Sequence, residues 1–176
     1  MLRRSLRLSA VPVSFAVLLL AACTQPAAPS QATRPTVSDE QMLAAIHAAG
    51  DKERSVIDVN PLRDPGVAAL QDAAEGDLRV GKYNDAAAKL DQALKISPDS
   101  PDLLQDRAEL AIRLKDYAGA EKFAHRSWEL GPKLGPLCAR NWQTIAELRQ
   151  RAGDDAAAAT ATKGVAECHK EGMQRY

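Results

Sequence analysis

Two stretches of the chain match each other at a fixed spacing of 34 residues, and this repeat constrains the fold more than any other feature. The matching pairs are Tyr83 and Tyr117, Ala86 and Ala120, Ile96 and Leu130, and Pro98 and Pro132. A repeat unit of this length cannot bury its apolar face alone, so successive units must stack on one another. The repeat therefore predicts an all-α solenoid with an extended concave surface.

The period, the small Ala after an aromatic turn residue and the Pro that closes the unit make the chain similar to the tetratricopeptide-repeat (TPR) family. The resemblance covers about 67–167 and implies a right-handed solenoid of about three helical hairpins. We expect units at about 67–100, 101–134 and 139–172, with four residues inserted before the third. The apolar residues predicted to form the core are Leu94, Ile96, Leu103, Leu110, Leu114, Phe123, Trp128 and Leu130.

A polar trio recurs at equivalent positions in the first helix of each predicted hairpin. Each trio is Gln, Glu and Arg at a spacing of four residues, which keeps the three side chains on one helical face. The resemblance to the TPR family places this polar ladder on the concave groove, where it would bind an extended peptide. Alternatively, Glu and Arg only pair along their own helix. The ladder residues are Gln71, Glu75, Arg79, Gln105, Glu109, Arg113, Gln143, Glu147 and Arg151.

The first 22 residues have the features of a secretory signal. Three arginines precede an apolar run over 8–20, which is too short and too interrupted for an ordinary membrane span. The run ends in a Leu-Ala-Ala-Cys sequence that resembles the lipobox of bacterial lipoproteins, the alternative being an ordinary signal peptide with an accidental Cys. The resemblance implies acylation of Cys23 and stable anchoring by two or more acyl chains. Because Thr24 follows, it favours the outer membrane, with the domain facing the periplasm.

The charge balance and the composition of the chain after residue 22 indicate how the remaining segments are organised. Without the three arginines of residues 1–22, the 23 basic residues fall to 20, against 23 acidic residues. This balance gives no electrostatic reason to bind nucleic acid. The stretch 23–37 is rich in Pro, Ser, Ala and Gln and is predicted to be a flexible tether. In 38–66, Ser38 and Gln41 form a capping box for a short helix that Gly50 ends, and the rest is a linker, a cap or a degenerate repeat.

The remaining two cysteines suit an oxidising compartment. Cys138 precedes the first helix of the third hairpin and Cys168 follows the second, so an antiparallel hairpin brings them together. A disulfide there would stabilise the terminal unit by roughly 3–4 kcal/mol. The alternative, in which both cysteines and His169 ligate a metal or haem, lacks the close ligand spacing of such sites. We therefore predict no metal and no cofactor beyond the lipid.

These features together predict an anchored periplasmic adaptor. The chain has no Gly-rich phosphate loop and no nucleophile elbow, so an enzyme is not expected. It resembles TPR lipoproteins of Gram-negative bacteria, which assist outer-membrane protein insertion, secretin assembly or periplasmic proteolysis, so the expected partner is an envelope protein or peptide. A second reading is a self-associating structural lipoprotein, a homo-oligomer whose groove is filled by its neighbour or by 51–65. A third is a metal or haem carrier.

Overall fold

A computed structural model describes residues 37–53 and 64–169, and the regular elements within these residues are all α-helices. The all-α class predicted from the repeat is confirmed. The signal peptide, Cys23, most of the tether, the stretch 54–63 and the last residues of the third predicted unit lie outside the described residues. The helices are α1 (Asp39–Lys52), α2 (Pro65–Arg79), α3 (Tyr83–Ile96), α4 (Pro101–Arg113), α5 (Tyr117–Leu130), α6 (Pro136–Arg151) and α7 (Asp155–Glu167).

Six of these helices form three successive hairpins, α2 with α3, α4 with α5 and α6 with α7. The first helix of every hairpin begins with a proline, at Pro65, Pro101 and Pro136. The fixed φ of proline suits the first helical turn, where a backbone N–H would have no acceptor within the helix. Proline therefore starts each hairpin without any loss of helical hydrogen bonds.

The turn inside each hairpin contains one residue with a left-handed backbone. These residues are Gly81, Lys115 and Gly153, with φ of 75°, 62° and 79°. In each turn the following amide donates to the carbonyl five residues earlier, at 2.9 Å. This is the Schellman arrangement, which satisfies carbonyls that the helix end leaves without a partner. Lys115 takes the position that glycine holds in the other two hairpins.

Small side chains allow the helices of a hairpin to approach closely. Ala86 and Ala120, which match in the repeat, are both fully buried. Leu103 and Leu110 lie in the core as predicted, and Leu94, Leu114, Phe123 and Trp128 pack against it. Ile96 and Leu130 were predicted to lie in the core and are instead 52% and 37% exposed. Each is the last residue of its helix, beyond the face that packs on the neighbouring hairpin.

The N-terminal helix α1 starts as the sequence predicts but ends later. The side chains of Ser38 and Gln41 form the predicted reciprocal capping box, with hydrogen bonds of 3.2 and 3.0 Å. Gly50 was predicted to end the helix, and this prediction is wrong, because α1 continues to Lys52. A Cβ at Gly50 would lie 2.8 Å from Cγ of Arg140. The absence of a side chain at Gly50 therefore allows α1 to approach α6 closely.

Helix α1 lies on the face formed by the first helices of the hairpins. It packs mainly against α6 and to a smaller extent against α4. An apolar cluster joins Met42, Leu43 and Ile46 of α1 to residues of three other helices. The residues opposite them are Ala111, Ile112, Ala120 and Leu148. The short helix predicted after Ser38 is thus α1, and it covers the second and third hairpins.

The terminal hairpin is held by the predicted disulfide. Cys138 and Cys168 are bonded, and both are buried. Trp128 and Trp142 pack beside this bond, with their ring centroids 5.0 Å apart. Gly164 of α7 lies so close to the indole of Trp142 that there is no space for a Cβ. The disulfide and this tight contact fix α7 against α6.

Candidate binding cleft

Helix α1 engages the arginines of the second and third trios. Arg113 donates from Nη1 to Glu40 Oε1 at 2.6 Å. Arg151 lies 3.7 Å from Asp39 Oδ1 and donates to the carbonyl of Val37 at 3.1 Å. These two arginines therefore contact the N-terminal end of α1.

The centre of the ladder is an ion-pair network around Glu109. Its Oε2 is 2.7 Å from His47 Nε2, and its Oε1 accepts from Arg140 at 2.7 and 2.9 Å. The amide of Gln105 donates to the same Oε1 at 2.9 Å. Burial alone would raise the pKa of Glu109, but His47, Arg140 and Gln105 outweigh it and hold the pKa below its ordinary value. Glu109 is therefore a fixed anion that joins α1, α4 and α6.

The second carboxylate of this network belongs to Asp106. It accepts from Arg140 Nη2 at 3.2 Å and from Gln71 Nε2 at 3.3 Å. Burial raises the pKa of Asp106 above its ordinary value, and the charge of Glu109 adds to that effect, while Arg140 opposes it. Asp106 is thus less well compensated than Glu109. Its side chain is 36% exposed and faces the open part of the groove.

The three glutamines of the ladder do not share one role. Gln105 is fully buried and donates to Glu109 and to Thr144 Oγ1, each at 2.9 Å. Gln143 donates to Glu147 at 2.8 Å along its own helix. Gln71 is buried against Asp106. Pairing along a helix therefore does occur, between Gln and Glu. The glutamines hold neighbouring carboxylates in place in this structure.

The first trio borders the part of the groove that α1 leaves open. Glu75 and Arg79 are exposed, unlike Glu109 and Arg113 of the second trio. We call this space the cleft: it has a volume of about 210 Å³ and lies between α1 and α2 above α4. Its lining residues are Leu43, His47, Gln71, Ala74, Glu75, Leu78, Leu90, Asp106, Glu109, Leu110, Arg113 and Arg140.

Three residues of this candidate site were not found from the sequence. His47, Asp106 and Arg140 stand outside the ladder, although all three line the cleft and contact its carboxylate network. His47 reaches Glu109 across 62 residues, and Arg140 reaches it across 31. Spacing along one helix cannot reveal such contacts. The pKa of His47 is raised, first by its hydrogen bond to Glu109, while burial opposes the rise.

The two structural cysteines contribute to the fold and not to a ligand set, since both sulfurs are used in the disulfide. Within 37–53 and 64–169, no group of three or more His, Cys, Asp or Glu side chains has the geometry to hold a metal ion. None of the helices in the same residues has the length and apolarity that a membrane crossing requires.

Comparison with known proteins identifies the family to which this architecture belongs. The family model described as "Tetratricopeptide repeat" matches residues 77–139. Among solved structures, the globular C-terminal domain of LpoP from P. aeruginosa is similar, with 32% sequence identity and a TM-score of 0.56. That match covers 60% of this chain and 99% of the LpoP domain. No protein with a curated description matches the chain. The chain belongs to the tetratricopeptide-repeat family, and these findings support a protein-binding adaptor.

Proposed function

We propose that this chain is an adaptor of the bacterial envelope that binds a segment of another protein in the cleft. The observation that carries the proposal is the combination of apolar walls and carboxylates in one open space. Leu43, Leu78 and Leu110 supply apolar surface from three different helices, and Glu75 and Asp106 supply negative charge. Such a mixture suits the side chains of a peptide, which present both kinds of group.

The size of the cleft supports a peptide over a small molecule. Sites for drug-sized ligands enclose roughly 300–1,000 Å³, and the cleft offers about 210 Å³. One or two inserted side chains fill that space, while the rest of the segment lies across the exposed Glu75 and Arg79. The role is binding and not catalysis, and it uses no cofactor.

The anchor and the location belong to the same proposal. The lipobox-like sequence before Cys23 supports acylation, and the similarity to a domain of LpoP agrees with a place in the cell envelope. We expect metabolic labelling with an alkyne fatty acid to mark the wild-type chain, and the variant Cys23→Ser to remain unlabelled. Labelling of Cys23→Ser at the wild-type level would contradict acylation at this residue.

Photo-crosslinking in intact cells tests the binding function. A photoreactive amino acid replaces Glu75, which is exposed and lines the cleft, and in a matched control it replaces Gln92, which is exposed on α3. We expect one dominant envelope protein to be linked from position 75 and not from position 92. Asp106→Asn, which removes the charge but keeps the shape, should weaken that adduct. Equal adducts from both positions would contradict specific binding in the cleft.

A further inference from the structure

Helix α1 shows how a helix can bind the Glu and the Arg of one ladder trio together. Glu40 accepts a hydrogen bond from Arg113 at 2.6 Å. His47 lies 2.7 Å from Glu109, one turn earlier on α4. Because Glu40 and His47 are seven residues apart, which is about two helical turns, they lie on the same side of α1. An acidic residue followed two turns later by a basic residue therefore matches the charges of a trio.

Apolar residues of α1 between these two contacts cover part of the second hairpin. Leu43 and Ile46 are buried in a cluster that includes Ile112 of α4, which is itself fully buried. The equivalent residue of the first hairpin, 34 positions earlier, is Leu78. Leu78 is only half-buried and lines the cleft. The first hairpin thus exposes part of the apolar surface that α1 covers in the second.

The charges of the first trio stand in the same positions as those that α1 contacts in the second. Glu75 and Arg79 lie 34 residues before Glu109 and Arg113, and both are exposed. Within the part of the chain that the structure describes, no side chain forms an ion pair with either of them. The first hairpin therefore offers a second helix the same combination of charges and apolar surface that the second hairpin offers α1.

We propose that the segment bound at the cleft is an amphipathic helix of the partner protein, which lies beside α1 and runs in the same direction. Its acidic residue pairs with Arg79, and a basic residue seven positions later pairs with Glu75. Apolar residues at the third and sixth positions after the acidic one contact Leu78 and the other apolar walls of the cleft, as helices that bind in grooves do. This inference rests on the proposed function, because it specifies the segment that the cleft would bind.

Photo-crosslinking combined with charge reversal tests this inference in intact cells. A photoreactive amino acid replaces Asp72, which is exposed on α2 about one turn before Glu75, and the linked segment of the partner is identified by mass spectrometry. We expect that segment to contain the acidic residue and, seven positions later, the basic residue. Arg79→Glu should lower the yield of the adduct about fivefold, and reversal of the partner's acidic residue to lysine should restore it.

The control variant and the possible outcomes separate this inference from the proposed function. Arg126→Glu changes an exposed arginine of α5 that does not line the cleft, and it should leave the adduct unchanged. Because Arg79 is exposed as well, both variants should keep a thermal midpoint close to that of the wild type. No adduct from position 72 would contradict binding at the cleft, and with it the proposed function. An adduct that Arg79→Glu does not weaken, or that the reversed charge on the partner does not restore, would overturn the helix inference alone.

Discussion

His47 Nε2 of α1 lies 2.7 Å from Glu109 Oε2 of α4, and this contact joins the N-terminal helix to the middle of the polar ladder. Glu109 also accepts from Arg140 of α6, so one carboxylate connects three helices. The repeat alone would leave the groove open along all three hairpins. Because α1 covers two of them, the part of the groove beside Glu75 stays open as the cleft.

The His47 contact predicts a pH dependence of stability. The folded state raises the pKa of His47, so the contact contributes its full stability below the ordinary pKa of histidine. That contribution is lost as the pH rises through the raised value. We expect the urea midpoint of the wild type to fall, relative to that of His47→Asn, as the pH rises above the ordinary pKa of histidine. Parallel profiles for both proteins would contradict this account.

Equivalent glutamates of the ladder are expected to differ in their contribution to stability. Glu109→Gln leaves Arg140 and His47 without their shared anion in a mostly buried site, where the Glu109 side chain is only 12% exposed. We predict a loss of about 2–3 kcal/mol in the free energy of unfolding. Glu75→Gln, the matched change in the first hairpin, is exposed and should alter it by no more than about 0.5 kcal/mol. Equal losses in urea denaturation would mean that Glu109 is not the centre of the network.

The disulfide is expected to contribute strongly to the terminal hairpin. It closes a loop between residues 30 positions apart. Replacement of both Cys138 and Cys168 by alanine should lower the free energy of unfolding by about 3–4 kcal/mol. Tryptophan fluorescence suits the measurement, because Trp128 and Trp142 pack beside the bond. A change below about 1 kcal/mol would show that α7 is held by its packing alone.

The left-handed turn of the second hairpin offers a stabilising substitution. Lys115 has φ of 62°, where a side chain costs free energy and glycine does not. Lys115→Gly should raise the free energy of unfolding by about 1 kcal/mol. Gly81→Ala, at the equivalent turn of the first hairpin, should lower it by a similar amount. Thermal denaturation of both variants checks the pair, and destabilisation by Lys115→Gly would contradict the turn geometry.

The hairpins could be predicted from the sequence because their signals are local. The turn residue Gly81, the small Ala86 and the prolines act within one repeat, and the period carries them to the next. The disulfide followed from the same logic, since the two ends of an antiparallel hairpin meet. Local spacing therefore predicted the helices and the closure of the last unit.

The surface on which α1 packs could not be predicted in this way. The pattern Met42, Leu43 and Ile46 indicates a buried face but not the helix that covers it. The contact from Glu40 to Arg113 spans 73 residues and has no signature in spacing. The role of Gly50 could not be predicted from spacing either. Its lack of a side chain allows contact with a distant arginine and does not end the helix. The cleft consequently emerged only from the arrangement of α1, α2 and α4.

The most direct test of the covered groove compares two equivalent ladder positions, Arg79 and Arg113, which lie 34 residues apart in the first and second hairpins. A photoreactive amino acid is placed at each position in intact cells, and the linked peptides are identified by mass spectrometry. We predict that position 113 links to the peptide containing α1, and that position 79 links to a different protein. Linkage of both positions to the same external protein, with no link to α1, would show that the groove is open along its length and would contradict this account.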